Sequence, residues 1–306
     1  MSTLVQNPDY AEEGEHQPLQ FKLYDQWDDE DDLWIKHRLE ALVNQQITPE
    51  QLALDMDHRI TALTRRNRDD GVEPQRAEQF IGPFFQALTK MCSAFPPYHA
   101  GQNQLIALVK ALNALPRHVI PEGLSPAQLE EKPWITTTLW SFDNSYQEGN
   151  WKACAEAFDF EHVYIWAPYR IRNYDSAMAR LTCAGLINCA FLSSLRFILP
   201  TNKEYPDLTK RPIDGPNKIG NNLVGAAQWI LGPEECRYAY TECQKVERVG
   251  VRQRKLWSRE HWAEWKRQFA FVAGDERFAQ KYRSVAAQAH HQMITCEQEE
   301  ELRQDV

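Results

Sequence analysis

The stretch from Ser176 to Leu199 limits the fold most strongly, because apolar residues occupy nearly every side of a helix drawn through it. Its length would suit a membrane span, since roughly 20 apolar residues cross a bilayer. Arg180, Asn188 and Arg196 argue against that location, because charge within a bilayer is costly. A helix without a polar face belongs among other helices. The sequence therefore predicts that this segment is a buried central helix.

The rest of the chain shows helical patterns with almost no alternating strands. Thr48-Pro49-Glu50-Gln51 is a capping box with proline at the first helical position, and apolar residues follow it at helical spacing. Pro83 predicts a kink in the third helix or marks its true start, and residues 135–140 fit either a short strand or an irregular segment. Together the patterns predict an all-α fold, a single globular bundle of about ten helices around the central apolar helix.

The domain organisation follows from the same patterns. Residues 1–18 are polar and acidic and contain two prolines, which predicts a flexible acidic tail. Residues 19–306 are predicted to form one all-α domain, because the central helix needs neighbours on every side.

The charge balance and the cysteines restrict the partners and the compartment. The chain carries 34 Lys and Arg against 43 Asp and Glu, a net charge of -9, whereas nucleic-acid binding requires a concentrated positive field. The N-terminus has neither the basic nor the apolar region of a secretory signal. The seven cysteines form no CxxC pair, which is typical of reduced thiols in an intracellular protein. We therefore predict a cytoplasmic protein with no nucleic-acid or membrane partner, and leave homo-oligomer formation open.

Residues 159–175 bring five aromatic rings, a histidine and two arginines into one short connection. If this segment is extended, His162, Tyr164 and Trp166 share one face, since side chains alternate along a strand. A histidine beside phenols would transfer protons on a bound organic molecule, because its pKa lies near neutrality. The alternative is that these rings pack a helical core and bond to backbone groups, which is the commoner explanation of buried aromatic residues.

Arginines on or beside an apolar helix need partners, because an unpaired buried charge is unfavourable. Arg170, Arg172 and Arg196 would hold a carboxylate or enolate of a ligand through bidentate hydrogen bonds. The favoured alternative is an internal ion pair, the commoner origin of such residues. The acids available for it are Asp159, Glu161 and Asp175.

Three side-chain amides are further candidates for the ligand site. Asn188 lies among the apolar residues of the central helix, and Asn222 and Gln228 lie on a later helix. Apolar pockets carry only a few convergent polar groups of this kind. Helix caps and hydrogen bonds between helices explain the same amides equally well.

Neither a metal nor an organic cofactor is predicted. His261 and Glu264 stand one turn apart, a spacing that di-iron bundles use, but such a bundle requires two of these pairs. His290 and His291 are adjacent and so point in different directions on a helix. The sequence has no GxGxxG, no GxSxG, no HExxH and no GxxxxGK followed by Ser or Thr, which removes the commonest nucleotide, hydrolase and zinc chemistries.

Three motifs give the chain a resemblance to a known family. They are Trp166-x-Pro168-Tyr169-Arg170-Ile171-Arg172, Asn222-Leu223-x-x-Ala226-Ala227-Gln228-Trp229-Ile230 and Trp262-x-x-Trp265-Lys266-x-x-Phe269. They resemble a family of fungal proteins catalogued as a domain of unknown function, and the similarity covers the C-terminal half clearly. The resemblance implies a cytosolic helical protein of a filamentous fungus and supplies no catalytic residues. Some such fungal proteins act in natural-product pathways on preformed skeletons without a cofactor.

Two functions of different classes are consistent with these observations. The preferred one is a cofactor-independent protein that binds an apolar small molecule, such as a polyketide or terpenoid skeleton, and steers a cyclisation, isomerisation or cycloaddition. The alternative is a helical scaffold that binds other proteins. In the preferred hypothesis His162, Tyr164 and Arg170 are catalytic, Trp166, Tyr169 and Trp229 shape the cavity, and Arg172, Asn188, Arg196, Asn222 and Gln228 bind the ligand.

Overall fold

The structure is a computed structural model. The structure describes residues 23–65, 77–117, 119–121, 136–140, 168–200, 218–245 and 256–304. Nine α-helices, two short 3-10 helices and one two-stranded ladder account for most of these residues. The prediction of an all-α fold is confirmed. The predicted tail, residues 1–18, lies outside the described residues.

The described residues form two compact units. The first contains four α-helices and the ladder, and the second contains five α-helices and both 3-10 helices. The prediction of a single domain over residues 19–306 stays a prediction. The helices of the first unit are α1 (Glu30–Val43), α2 (Pro49–Arg65), α3 (Ala77–Ala94) and α4 (Ala100–Ala114).

Local signals set where these first helices begin. Asp29 caps α1 in a reciprocal capping box with Asp32, so the helix starts within the run of five acidic residues at positions 28–32. The hydroxyl of Thr48 accepts a hydrogen bond from the backbone N–H of Gln51 at 3.1 Å, and α2 begins at Pro49 as predicted. Pro83 lies inside α3, so this proline does not mark the start of that helix.

A small ladder accompanies the first four helices. Strand β1 (Val119–Pro121) pairs antiparallel with β2 (Thr136–Thr138), and Ile120 lies opposite Thr137. The strand alternative for this part of residues 135–140 is therefore correct. Trp140 follows β2 with a φ of 58°, and its indole Nε1 donates to Asp57 Oδ1 of α2 at 2.6 Å. This hydrogen bond connects the residues after β2 to the helices of the first unit.

The second unit holds the candidate site. Its elements are α5 (Pro168–Cys183), the 3-10 helices Ala190–Leu192 and Ser194–Ile198, α6 (Lys218–Leu231), α7 (Pro233–Gln244), α8 (Arg259–Gly274) and α9 (Gln280–Gln304). The core is formed where α6 packs against α5, α9, α7 and the second 3-10 helix, while α8 packs against α9.

The prediction of one continuous helix over residues 176–199 is wrong in extent. The helix that is buried in this region is α5, which begins at Pro168 and ends at Cys183. Gly185 takes a φ of 67°, and the backbone N–H of Cys189 donates to Thr182 Oγ1 at 2.9 Å, so the chain turns instead of continuing. Beyond the turn, Leu192, Leu195 and Ile198 are buried as parts of the two 3-10 helices.

The sequence argued against a membrane span in residues 176–199, and the hydrophobicity of the described helices can be compared with that expectation. Among the helices in the described ranges, none combines the length and the apolar composition needed to cross a bilayer.

Candidate functional site

Helix α5 is buried on every side although it is rich in polar residues. All residues from 170 to 179 are buried, which covers nearly three turns and hence every face of the helix. A helix with no exposed face is ordinarily apolar. In α5, half of these ten residues are polar or charged: Arg170, Arg172, Asn173, Asp175 and Ser176.

Asp175 lies at the centre of this helix and is held by three hydrogen bonds. Its Oδ1 accepts from the backbone N–H of Ser194 at 3.0 Å and from the indole Nε1 of Trp229 at 2.9 Å. Its Oδ2 accepts from the hydroxyl of Ser194 at 2.6 Å. The carboxyl group therefore joins α5 to the second 3-10 helix and to α6, and we call these three residues the Asp175 cluster.

Gly225 of α6 has no side chain, and the Asp175 cluster occupies the space that a side chain would fill. A Cβ atom at this position would lie 2.4 Å from Asp175 Oδ2 and 2.7 Å from Ser194 Oγ. Both distances are shorter than van der Waals contact, so a side chain here would displace the carboxyl group or the hydroxyl. The glycine therefore allows α6 to approach α5 closely.

Burial sets the protonation of Asp175. Removal from water raises the pKa of its carboxyl group to about 6, because the charged form loses its hydration. The hydrogen bonds from Ser194 and Trp229 and the positive charge of Arg196 act in the opposite direction. A carboxyl group with this pKa exchanges a proton near neutral pH, which is a property of general acids and bases. Its oxygens are both engaged with protein donors, which also suits a residue that positions others.

The two buried arginines of α5 lie on different sides of the helix. Arg170 and Arg172 are two positions apart, which places their side chains about 200° apart around the axis. The Nε and Nη2 groups of Arg172 both donate to Asn173 Oδ1 at 3.1 Å. Asp175, one of the three acids proposed for an ion pair with these arginines, instead accepts from Ser194 and Trp229. The other two acids lie outside the described residues.

Aromatic side chains surround the Asp175 cluster on the side of α8. The ring of Trp257 lies 6.1 Å from Trp229 and 5.9 Å from Trp265, measured between centroids, and an edge-to-face contact joins it to Tyr238. Trp265 Nε1 donates to the backbone oxygen of Leu195 at 3.0 Å. The second 3-10 helix is thus held by Asp175 through Ser194 and by Trp265 through Leu195.

The predicted site residues are distributed unevenly. Trp229 joins the Asp175 cluster, and Arg170, Arg172 and Asn222 are also buried in the second unit. Tyr169 and Gln228 are half-buried, and Asn188 and Arg196 are exposed. The predicted catalytic and cavity residues His162, Tyr164 and Trp166 lie outside the described residues.

Gln228 and Arg196 make contacts within their own helices. Gln228 Nε2 donates to the backbone oxygen of Val224 at 3.2 Å within α6, so one of its amide protons serves its own helix. The guanidinium of Arg196 lies 4.6 Å from the ring centroid of Phe197, its neighbour in the 3-10 helix. Its charge nevertheless acts on the pKa of Asp175.

Sequence reasoning missed Ser194 and Gly225. Ser194 sits in a segment that resembled continuous helix, so nothing indicated that its backbone N–H would be free for a side-chain acceptor. Gly225 gave a usable signal, because a glycine in the interior of an apolar helix often marks a close approach of another group.

His261 and Glu264, which stand one turn apart in α8, both contact other groups of the protein. His261 Nδ1 lies 2.7 Å from the backbone oxygen of Leu256, and Glu264 accepts from Arg267 and from Gln268. Within the described ranges, no three His, Cys, Asp or Glu side chains come together in a way that would hold a metal ion.

A comparison with known protein families identifies the family of this chain. The helical fold defines an all-α protein whose second unit is organised around a buried polar helix. Residues 85–269, more than half of the chain, match the family described as Protein of unknown function (DUF3632), and the chain belongs to that family. The matched range contains the whole Asp175 cluster and Gly225. No curated protein and no solved structure matches the chain.

Proposed function

We propose that the protein binds an apolar small molecule beside α5 and steers a cyclisation, isomerisation or cycloaddition of it without a cofactor. The supporting observation is that α5 is buried on every side yet half polar over residues 170–179. Natural sequences depart from the local rules of folding mainly at functional sites. A helix that buries charge in this way has the composition of a binding-site wall more than that of a packing helix.

The surroundings of α5 supply the two kinds of surface that such a ligand needs. Trp229 and Trp257 provide buried aromatic surface, and Asn222 provides a buried amide on the same helix as Trp229. Ligand sites are mostly apolar with a small number of polar groups that fix orientation. This combination favours a carbon skeleton with one acidic or carbonyl group over a highly charged metabolite.

In this proposal some residues stabilise charge or transfer protons, and others hold the substrate or its neighbours in position. The guanidinium of Arg170 would hold an enolate or carboxylate as negative charge develops on the substrate, since bidentate hydrogen bonds to such groups are strong. His162 and Tyr164 would move protons, and Trp166 and Tyr169 would shape the cavity. Asp175 would act as a positioning residue, because its oxygens already bind Ser194 and Trp229. Holding one reactive conformer lowers the barrier by limiting the motions of the substrate.

The biological setting is part of the same proposal. We place the activity in the cytoplasm of a filamentous fungus and in natural-product metabolism. The support is the resemblance of the three motifs around Trp166, Trp229 and Trp265 to fungal proteins. A compound from a fungal extract is therefore the first substrate to seek.

The test incubates fungal metabolite extracts with native protein, boiled protein and two variants, and compares the products by mass spectrometry. Arg170→Gln is expected to lower conversion about 10- to 100-fold, because it removes a charge-assisted hydrogen bond. Arg303→Gln is the matched control, since Arg303 is exposed and pairs with Glu300 on the surface of α9. An extract unchanged by native protein, with no compound retained by it, would contradict the proposal.

A helical scaffold is the second candidate, and one observation in the first unit favours it. Trp27 is 82% exposed, and Tyr24 and Leu33 near the start of α1 are exposed as well. Large exposed apolar side chains are often found at protein interfaces. This function would be favoured if the native protein converts no metabolite but retains a protein partner, and if the Trp27→Ala variant loses that partner.

A further inference from the structure

Two buried cysteines come together outside the site described above. Cys236 lies in α7 and Cys296 in α9, and these helices pack against each other. The thiol of Cys236 lies 3.8 Å from the backbone oxygen of Gln292, which stands one helical turn before Cys296 on the same face of α9. The two thiols are close enough for each to shift the pKa of the other.

We propose that Cys236 and Cys296 form a reversible disulfide bond that joins α7 to α9 when a hydroperoxide oxidises the protein. Cys296 sulfur attacks one oxygen of hydrogen peroxide, the O–O bond breaks, and the leaving hydroxide takes the thiol proton to become water. Cys236 sulfur then attacks the sulfur of the Cys296 sulfenic acid, the S–O bond breaks, and the Cys236 proton leaves in a second water. Two thiols and one peroxide thus give one disulfide and two waters.

The surroundings of the two thiols assign the order of attack. The Cys236 thiol donates to the backbone oxygen of Gln292, which favours its protonated form. Contact with Cys236 lowers the pKa of Cys296, while the pKa of Cys236 is raised by Cys296 and by burial. The positive charge of Arg237 also favours the Cys296 thiolate, while burial and the charge of Glu300 oppose it. Since the thiolate is the nucleophile, Cys296 reacts with the peroxide and Cys236 resolves the sulfenic acid.

Burial selects the oxidant. Cys236 is 0% exposed and Cys296 is 3% exposed. A molecule the size of hydrogen peroxide reaches such thiols through small local openings, whereas a bulky disulfide requires the helices to separate. We therefore expect hydrogen peroxide to form the bond faster than oxidised glutathione does.

The bond would close a chain segment that contains all of α8. It would span about 60 residues, and a cross-link over that length restricts the unfolded chain strongly. In the folded protein it would fasten α9, which packs on α6 and also binds Trp262 and Lys266 through Glu297. Oxidation is thus expected to fix the C-terminal helix without a change in the helices themselves.

The experiment is a peptide map of the full chain after treatment with hydrogen peroxide under native conditions. Trypsin separates the three relevant cysteines, because Cys236 falls in residues 219–237, Cys243 in 238–245 and Cys296 in 284–303. We expect a linked 219–237/284–303 peptide that lacks two hydrogen atoms, and its loss after reduction with dithiothreitol. The oxidised protein should melt on the order of 5–10 °C higher than the reduced protein.

Two variants give the controls. Cys296→Ser should abolish the linked peptide, and Cys243→Ser, two turns further along α7, should retain it. If either variant fails to fold, the map of the native protein decides alone. Sulfinic or sulfonic acid at Cys296, a different linkage, or thiols that stay reduced while the urea-unfolded chain oxidises would each overturn the proposal.

Discussion

The substitution Asp175→Asn measures what a buried carboxylate does to stability. The amide has nearly the shape of the acid, its oxygen would still accept from Ser194 N–H and Trp229 Nε1–H, and its Nδ2 would donate to Ser194 Oγ. The variant therefore removes the charge and keeps the hydrogen bonds. It isolates the effect of ionisation in a way that truncation to alanine would not.

The magnitude follows from the pKa. Burial raises the pKa of Asp175 from 3.8 to about 6, and each pKa unit corresponds to about 1.4 kcal/mol. Well below pH 3.8 the group is protonated in both the folded and the unfolded chain. As the pH rises from 3.8 to about 6, the unfolded chain ionises first, so the native protein loses about 3 kcal/mol of stability that the variant does not lose. About 0.5 kcal/mol of this loss has already occurred at pH 4, so the advantage of Asp175→Asn over the native protein should be about 2.5 kcal/mol larger at pH 7 than at pH 4.

The assay is urea unfolding at several pH values between 4 and 7, followed by tryptophan fluorescence, with Trp229 beside the substituted group. Asp275→Asn is the control for the same chemical change. Hydrogen bonds from Arg277 lower the pKa of the Asp275 carboxyl group below its usual value of 3.8, so its titration lies almost entirely below this pH range. The difference between Asp275→Asn and the native protein should therefore stay nearly constant over the range. A native-minus-Asp175→Asn difference that is flat across this pH range, or that moves in favour of the native protein, would refute the reasoning.

The remaining predictions concern packing around the same cluster. Gly225→Ala should destabilise the protein by about 1–3 kcal/mol through overpacking, read from the urea midpoint. Gly274→Ala is its control, since a Cβ there meets nothing within 4 Å, and its midpoint should not fall. Trp265→Phe should lose about 1–3 kcal/mol, because the buried backbone oxygen of Leu195 would lose its donor; a midpoint equal to that of the native protein would show that this hydrogen bond contributes nothing.

Helix starts could be predicted from the sequence because their signals are local. Thr48 and Ser258 each accept from the backbone N–H three residues ahead, so the cap and its partner are adjacent in the chain. The acidic start of α1 at Asp29 works in the same way. Such contacts need no knowledge of the tertiary fold, and the predicted start of α2 at Pro49 agrees with the structure.

The candidate site depended on contacts that no local pattern encodes. Asp175 accepts hydrogen bonds from Ser194, nineteen positions away in the sequence, and from Trp229, fifty-four positions away. The segment from Leu186 to Ile198 misled the prediction, because a 3-10 helix buries apolar residues at a spacing of three, which resembles the spacing in an α-helix. Gly185, whose φ is positive, lies in the turn between the end of α5 and this segment.

The backbone N–H of Ser194 has a consequence for how the second unit opens. This amide lies in a five-residue 3-10 helix, the kind of element that normally exchanges its protons with solvent quickly. Here its acceptor is a carboxyl group buried in α5, and the neighbouring Leu195 oxygen is bound by α8. Solvent reaches the Ser194 proton only when α5 separates from the 3-10 helix, so this five-residue helix reports on the opening of one of the most buried helices of the unit.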